Sequence, residues 1–299
     1  VKRIPSFLCL AAVFVTTIRA EEIEKAQAER VTLLEDKRIN ESSGLTRSLR
    51  VPGIFWTHND SATDPCVYAI DQSGKTRAKV RVPGAVNFDW EDMASAKASD
   101  GTPLLFIGDL GDNLLVRPTV TVYEIPEPSL PKSADKELLS TAPKLWHARY
   151  PDGRHNAETL LVHPLTRRIY IVTKTDQGDC ALYVFPEKLT NGETMELVKL
   201  TDLKFPAKAR LGKRPMDASQ TTGGAFAPDG RRVAISTYSY IHEWQLSSND
   251  TLVAALKKES HLIEPPLVMQ MEALCYDDDS KTIWFTSERL PSPLWRIRR

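Results

Sequence analysis

One pattern recurs five times along this chain and leaves few folds open to it. A short β-rich run, at 53–57, 104–108, 168–173, 232–237 and 282–286, is followed after a polar loop by a second run. The second runs, at 66–70, 121–125, 181–185, 241–245 and 293–297, each carry an aromatic residue. The spacing within each pair is that of a hairpin, and five similar pairs imply a structural repeat. Upstream of each pair lies a third run. Four of these open on glutamate, at Glu41, Glu91, Glu158 and Glu272, and the fifth has Thr222 in that place. Starting positions 41, 91, 158, 222 and 272 are 50, 67, 64 and 50 residues apart. That is longer than the roughly 40–45 residues of compact propeller repeats, with room for loop insertions.

A fourth strand fits at 76–82, 144–150 and 196–203, which completes a four-stranded blade. The last unit reaches Arg299 with three strands only, while 30–35 reads as an unpaired strand ahead of the first repeat. Placing that N-terminal strand on the outside of the last blade closes a ring. The expected fold is therefore all-β: one β-propeller of five four-stranded blades over 21–299, with six blades as the alternative if 126–155 hides a further sheet. Helical spacing of apolar residues appears only at 22–28 and 251–259.

The start of the chain reads differently. Lys2 and Arg3 precede an apolar run over 7–18, which ends before Glu21 and Glu22, the pattern of a signal peptide spanning 1–20. Twelve apolar residues fall short of the roughly 20 that cross a bilayer, so the mature chain is expected to have no transmembrane helix. The whole chain has 39 basic and 39 acidic side chains. Losing Lys2, Arg3 and Arg19 would leave a mildly acidic chain, a poor match for nucleic acid. The reading is an exported monomer, periplasmic or extracellular. Its three mature cysteines, Cys66, Cys180 and Cys275, form no paired motif and allow at most one internal disulfide.

The innermost strands of a propeller line its channel, so Glu41, Glu91, Glu158 and Glu272 would converge at one mouth. Close carboxylates either rise in pKa or share a cation, and hard oxygen ligands in a roomy, hydrated channel favour Ca²⁺. Loops 57–61 and 108–113 bring Asn59 and Asp109 towards the same mouth, and Asp89 would share a face with Glu91. The expected metal ligands are Glu41, Asn59, Glu91, Asp109, Glu158 and Glu272. The candidate catalytic groups are Glu91 and Glu158 to activate water, Lys174 to hold a substrate anion, and His58 as a general base, with His155 a second histidine near the mouth. Nucleophile-elbow, zincin and Walker motifs are absent from the sequence.

Several of these segments together carry a resemblance: Glu41-Ser42-Ser43-Gly44, Trp56-Thr57-His58-Asn59-Asp60-Ser61, Asp89-Trp90-Glu91-Asp92-Met93-Ala94, Ile107-Gly108-Asp109-Leu110-Gly111-Asp112-Asn113 and Asn156-Ala157-Glu158-Thr159, with Thr222-Gly223-Gly224-Ala225 and Met271-Glu272-Ala273-Leu274. The series resembles a family of exported bacterial β-propellers. More distantly it is similar to phytase-associated esterase-like propellers and to calcium-dependent lactonase and gluconolactonase propellers. The nearer group implies fold and export; the distant ones imply a channel cation and hydrolysis of esters or phosphoesters. Two functions follow as expectations. One is a calcium-binding hydrolase of esters, lactones or phosphoesters; the other is a non-catalytic propeller that binds a glycan, a peptide or another envelope component.

Overall fold

A computed structural model describes residues 23–132, 137–205, 214–248 and 250–299. The segment read as a signal peptide lies outside the described residues. The chain opens with β1 (Ile23–Lys25) and β2 (Ala28–Leu33). Blade 1 is β3 (Ser42–Arg47), β4 (Ile54–Asn59), β5 (Cys66–Asp71) and β6 (Thr76–Arg81). Blade 2 is β7 (Trp90–Lys97), β8 (Pro103–Asp109) and β9 (Val120–Pro126), with β10 (Glu137–Leu139) preceding its outer strand β11 (Lys144–Arg149). Blade 3 is β12 (Ala157–Val162), β13 (Ile169–Thr173) and β14 (Asp179–Val184), with β15 (Thr194–Glu196) ahead of its outer strand β16 (Val198–Lys204). Blade 4 is β17 (Thr221–Phe226), β18 (Arg232–Thr237) and β19 (Ile241–Gln245), then helix α1 (Leu252–Leu256) and outer strand β20 (His261–Glu264). Blade 5 is β21 (Met271–Tyr276), β22 (Ile283–Ser287) and β23 (Pro293–Ile297), and its outer strand is β2.

The fold is thus a five-bladed, all-β propeller closed by the N-terminal strand, with Ala28 opposite Ile297 and Leu33 opposite Pro293. The stretch 126–155 does not make a sixth blade, because its described strands β10 and β11 join blades 1 and 2. Helix at 22–28 is corrected as well: Ile23–Lys25 pairs as a strand with Leu262–Glu264 and Ala28–Leu33 with blade 5, so tertiary pairing overrides the local apolar spacing. The second helix is present but shortened to five residues, capped by Thr251, whose side chain accepts from the Ala254 N–H at 3.1 Å.

Hydrophobic packing is divided among the five interfaces between blades. One large cluster fills each: Trp56 and Trp90 between blades 1 and 2, Tyr183 and Phe106 between 2 and 3, Val172 and Ile235 between 3 and 4, Met271 and Ile263 between 4 and 5, and Trp284 and Phe55 between 5 and 1. The last holds the seam. Cys66, Cys180 and Cys275 are buried free thiols within this packing, and burial pushes the Cys66 and Cys180 thiols up to about 11.

A regular device covers the outer edges. The chain just ahead of an outer strand steps back onto the preceding blade: β10 pairs in parallel with β6 of blade 1, β15 with β11 of blade 2, and β1 with β20 of blade 4. In blade 4 the same stretch is α1, whose Leu252, Ala255 and Leu256 pack with Leu203 of β16. Covering an edge strand satisfies its unpaired N–H and C=O groups and blocks unwanted pairing.

At the centre the inner strands approach so closely that small residues dominate. Gly44, Thr159, Gly223 and Ala273 leave space for one larger group, Asp92, which is fully buried. A Cβ on Gly44 would overlap the His58 ring, and one on Gly223 would strike the Glu272 carbonyl. The Asp92 carboxylate accepts the N–H of Met93 at 2.8 Å, of Leu160 at 3.0 Å and of Gly224 at 3.0 Å, tying blades 2, 3 and 4. Burial pushes its pKa well up against the pull of these donors. Replacing Asp92 by Ala strands three buried N–H groups, each costing about 1–3 kcal/mol, so urea denaturation should show a loss of about 3 kcal/mol or more. Asn should cost less, since its one oxygen still accepts from Leu160 and Gly224. An unchanged midpoint for the Ala variant would show that Asp92 does not hold the blades.

Candidate functional site

Every inner strand begins with a β-bulge, and the bulged residue points into the channel mouth. Register pairs bracket Ser43 in β3, Glu91 in β7, Glu158 in β12 and Thr222 in β17, while in β21 the break spans Glu272 and Ala273. The residue of blade 1 equivalent to the glutamates is therefore Ser43. Glu41 lies two positions earlier, half-buried, with its N–H on Asn59 Oδ1 at 3.3 Å. The structure thus gathers Glu91, Glu158 and Glu272, at 4%, 5% and 6% exposure, with the hydroxyls of Ser43 and Thr222 in the remaining places.

Three buried carboxylates need compensation, and blade 3 supplies part of it. Lys174, just past the end of β13, donates to Glu158 and, at 2.8 Å, to the Tyr238 hydroxyl, with its ammonium 4.7 Å from the Tyr238 ring centre. Burial works to lower the Lys174 pKa, but Glu158, Tyr238 and Glu272 outweigh it and push it up. Burial likewise raises Glu272, with Glu158 adding to the rise and Lys174 opposing it. Blades 3 and 5 therefore carry a built-in cation.

On the opposite side of the mouth three carboxylates crowd one another, with Arg117 and Lys174 the cations that oppose them. Carboxylate oxygens of Asp60, Asp89 and Glu91 lie within 4.8 Å of one another. Burial and then Asp89 push Asp60 up to about 7. Glu91 is raised well above its ordinary range by burial, then by Glu158, Asp60 and Asp89. Asp89 is raised by burial, with Arg117 opposing. Gly111 makes this crowding sterically possible, since a Cβ there would overlap both the Asp89 and Glu91 carboxylates.

The rest of loop 108–113 supports these groups. Asp109, fully buried, pairs with Arg117 at 2.7 Å and accepts the Asp89 N–H at 3.1 Å, and its other oxygen has no hydrogen-bond partner among the described residues. Asp112 accepts the N–H of Val116 and of Arg117, both at 2.8 Å. Asn59 spends its amide on Arg38 O at 2.6 Å and the Glu41 N–H. His58 is sealed from solvent: its Nδ1 faces the Asn59 carbonyl at 3.0 Å, and burial pushes its pKa down to about 4. His155 stands instead on the cavity wall, with Nε2 3.0 Å from Asp152 and 3.1 Å from the Tyr183 hydroxyl. A second acidic group, Asp64 and Glu137 with Cys66, lies at the outer edge, where Lys79 and Arg81 already neutralise the carboxylates.

Above the mouth opens a cavity of about 750 Å³. Lys174 and Tyr238 connect it to the acidic groups, and Arg154, Arg214 and Arg289 line its walls. Arg214 is engaged with Asp217 at 2.9 Å. The residues sequence reading did not assign as ligands or partners were Asp60, Asp89 as a full member of the cluster, and Tyr238. Asp60 directly follows Asn59, and Tyr238 sits where β18 ends, the blade-4 counterpart of Lys174. Hard oxygens on one side, an ammonium on the other and a basic wall above can together bind a cation and an anionic group side by side.

No family model and no curated protein matches the chain. Among solved structures it is similar to a crystal structure of RRP9 WD40 repeats, with 12% identity over 93% of this chain and 100% of that one at a TM-score of 0.45. It is also similar to the nidogen/laminin complex, with 10% identity over 82% of this chain and 72% of that one, again at 0.45.

Two outcomes follow. Replacing Lys174 by Met leaves Glu158 buried without its counter-charge, which should cost about 3–5 kcal/mol in denaturant titrations. Adding Glu158→Gln should recover part of that loss. Secondly, a carboxyl whose folded pKa is raised stabilises the fold fully below its unfolded value, and that stability is lost as pH rises through the folded value. Asp60, Asp89 and Glu91 all shift this way, Asp60 to about 7. In chelator the melting temperature should therefore fall between pH 5 and pH 8, and less steeply in Asp60→Asn. A flat profile in the wild type would remove the electrostatic crowding.

Proposed function

We propose that the protein is an exported propeller whose channel mouth binds Ca²⁺ on Asp60, Asp89 and Glu91 and receives a small anionic ligand in the adjoining cavity. The observation that carries this reading is the convergence of those three carboxylates within 4.8 Å, with Lys174, which lines the cavity, acting on Asp89 and Glu91. The donor set fits the ion: all oxygen, partly buried and crowded against Gly111. Compared with the sequence expectation, Glu91 stays in the proposed ligand set, Asp60 and Asp89 enter it, and Glu41, Asn59, Asp109, Glu158 and Glu272 leave it.

The reaction best suited to this arrangement is hydrolysis of an ester, lactone or phosphoester. A divalent cation bound there would polarise the scissile group's oxygen. The protein's own groups do the rest. Lys174 and Tyr238 offer donors to the ligand's oxygens, and Arg154 and Arg289 offer charge from the lining. Glu158, held by Lys174, is positioned to take a proton from water. The resemblance read from the sequence motifs to esterase-like and lactonase propellers would imply the same chemistry. A second reading, a non-catalytic module for an envelope component, is favoured by exposed apolar side chains on the mouth loops of blade 2: Phe88 at 65%, Leu114 at 81% and Val116 at 59% exposure.

A ligand that binds only the folded state stabilises it by RT ln(1 + [L]/Kd), about 2.7 kcal/mol at a hundredfold excess. Calcium should raise the melting temperature at pH 8, and Asp60→Asn should raise the melting temperature in chelator while weakening the calcium response. Identical wild-type melts in calcium and in chelator would end the cation reading. Turnover of activated esters, lactones or phosphoesters with calcium, lost in Glu158→Gln, decides for hydrolysis; no turnover in any class decides for the binding module.

A further inference from the structure

Among the described residues, the edge-covering device is applied to four blades and not to the fifth. The outer strand of blade 1 follows β5 through a tight turn over 71–75, so no strand or helix is available to step back onto blade 5. Among the described residues, β2 pairs only with β23. The turn reaches its C-terminal end alone: Thr32 Oγ1 donates to Ser73 O at 3.0 Å, and the Glu35 N–H to Gly74 O at 3.0 Å. Among the described residues the edge over 28–31 is open.

The chain itself shows what such an edge accepts. All three added strands run parallel to their host and bring a glutamate onto its basic groups. Glu137 pairs with Lys79 and Arg81, both at 2.8 Å. Glu196 pairs with Arg149 at 3.0 Å, and Glu24 with His261 at 2.5 Å and Arg299 at 3.2 Å. On blades 1 and 2 the central residue of the added strand, Leu138 or Met195, packs onto the neighbouring interface cluster beside Val80 or Ala148. Blade 5 repeats the receiving half of this pattern. Arg30 is exposed and has no ion pair among the described residues, and Val31 packs on the cluster between blades 5 and 1. Arg30-Val31 thus matches Lys79-Val80 in placing a cation on one face and an apolar residue on the other.

We propose that the outer edge of β2 docks an extended segment of a partner protein, which adds in parallel and sets a glutamate on Arg30 and an adjoining apolar side chain beside Val31. Backbone pairing supplies the affinity and the Arg30 contact the selectivity, as in strand addition generally. The surface is separate from the channel mouth, so it serves either reading of the site.

The test uses the full 299-residue chain and a synthetic peptide copying residues 193–199, Glu-Thr-Met-Glu-Leu-Val-Lys. Amide shifts of the labelled protein should move over 28–33 on titration. Arg30→Glu should weaken the peptide at least tenfold, and a peptide with Lys in place of its second Glu should recover binding to that variant. Three results would overturn the proposal: no shift over 28–33, shifts confined to β11 where the native copy of the segment pairs, or β2 amides already protected from exchange in the free chain. Association of the free chain into dimers that Arg30→Glu dissolves would assign the edge to a second copy instead, and would equally overturn it.

Discussion

The propeller depends on one non-local pairing, that of β2 with β23. Five wedges packed side by side have no intrinsic end, and each interface is held by its own apolar cluster, so the ring closes only where β2, near the start of the chain, meets its last strand, β23. That pairing seals Trp284, Phe55, Leu34 and Ile39 between blades 5 and 1. Burying such side chains contributes about 1.5–3 kcal/mol each, so the seam is stabilised mainly by packing, with the backbone ladder giving it register. Once the seam is closed, the inner strands are forced together, and the small residues at the centre follow from geometry. Asp92 can be tolerated there because three backbone donors meet it.

Much of this was legible in the residues. Alternation, turns and the fivefold order identified the blades, and the missing outer strand of the last unit pointed to closure by the N-terminus. The failures share a cause. The inner strands begin with a bulge, which adds a residue without changing the apolar pattern, and this hid the true alignment of blade 1. Glu41 matched by residue type while Ser43 matched by position. The 22–28 stretch has helical spacing, yet a strand edge on blade 4 was available to it and β1 formed there instead. Neither an unpaired edge nor a bulge is visible in a linear pattern.

Residue type also misled at the site through the second partner of each side chain. Asn59 and Asp109 are oxygen donors in the right loops, but the amide of the first holds the chain at 38–41 and the second is tied to Arg117. Asp60, one residue after Asn59, is the group turned towards Asp89. A one-residue step in an extended segment reverses the face of the side chain, so loops rich in Asn and Asp announce a site without saying which residue enters it. Lys174 was visible as a charge near the mouth. Its burial between Glu158 and Tyr238 was not, because the hairpin of blade 3 sets Lys174 beside Glu158 while Tyr238 comes from the neighbouring blade.

The placement of that lysine gives the mouth its polarity. A symmetric ring of glutamates would demand one central cation, but substitution of Ser and Thr at two bulges and an ammonium beside the third removes the symmetry. Glu158 and Glu272 on blades 3 and 5 have Lys174 beside them, while Asp60, Asp89 and Glu91 on blades 1 and 2 crowd one another; burial raises all five carboxyls. Buried carboxylates crowded together hold protons above the normal range, and a bound cation would relieve the same repulsion. The same asymmetry leaves Lys174 facing both Glu158 and the cavity, so a ligand anion entering from above would meet the ammonium on one flank and the acidic cluster on the other. A propeller with identical blades has one axis and no preferred orientation for a small ligand; the unequal bulge residues give this mouth two unlike sides, and therefore a direction in which a ligand can lie.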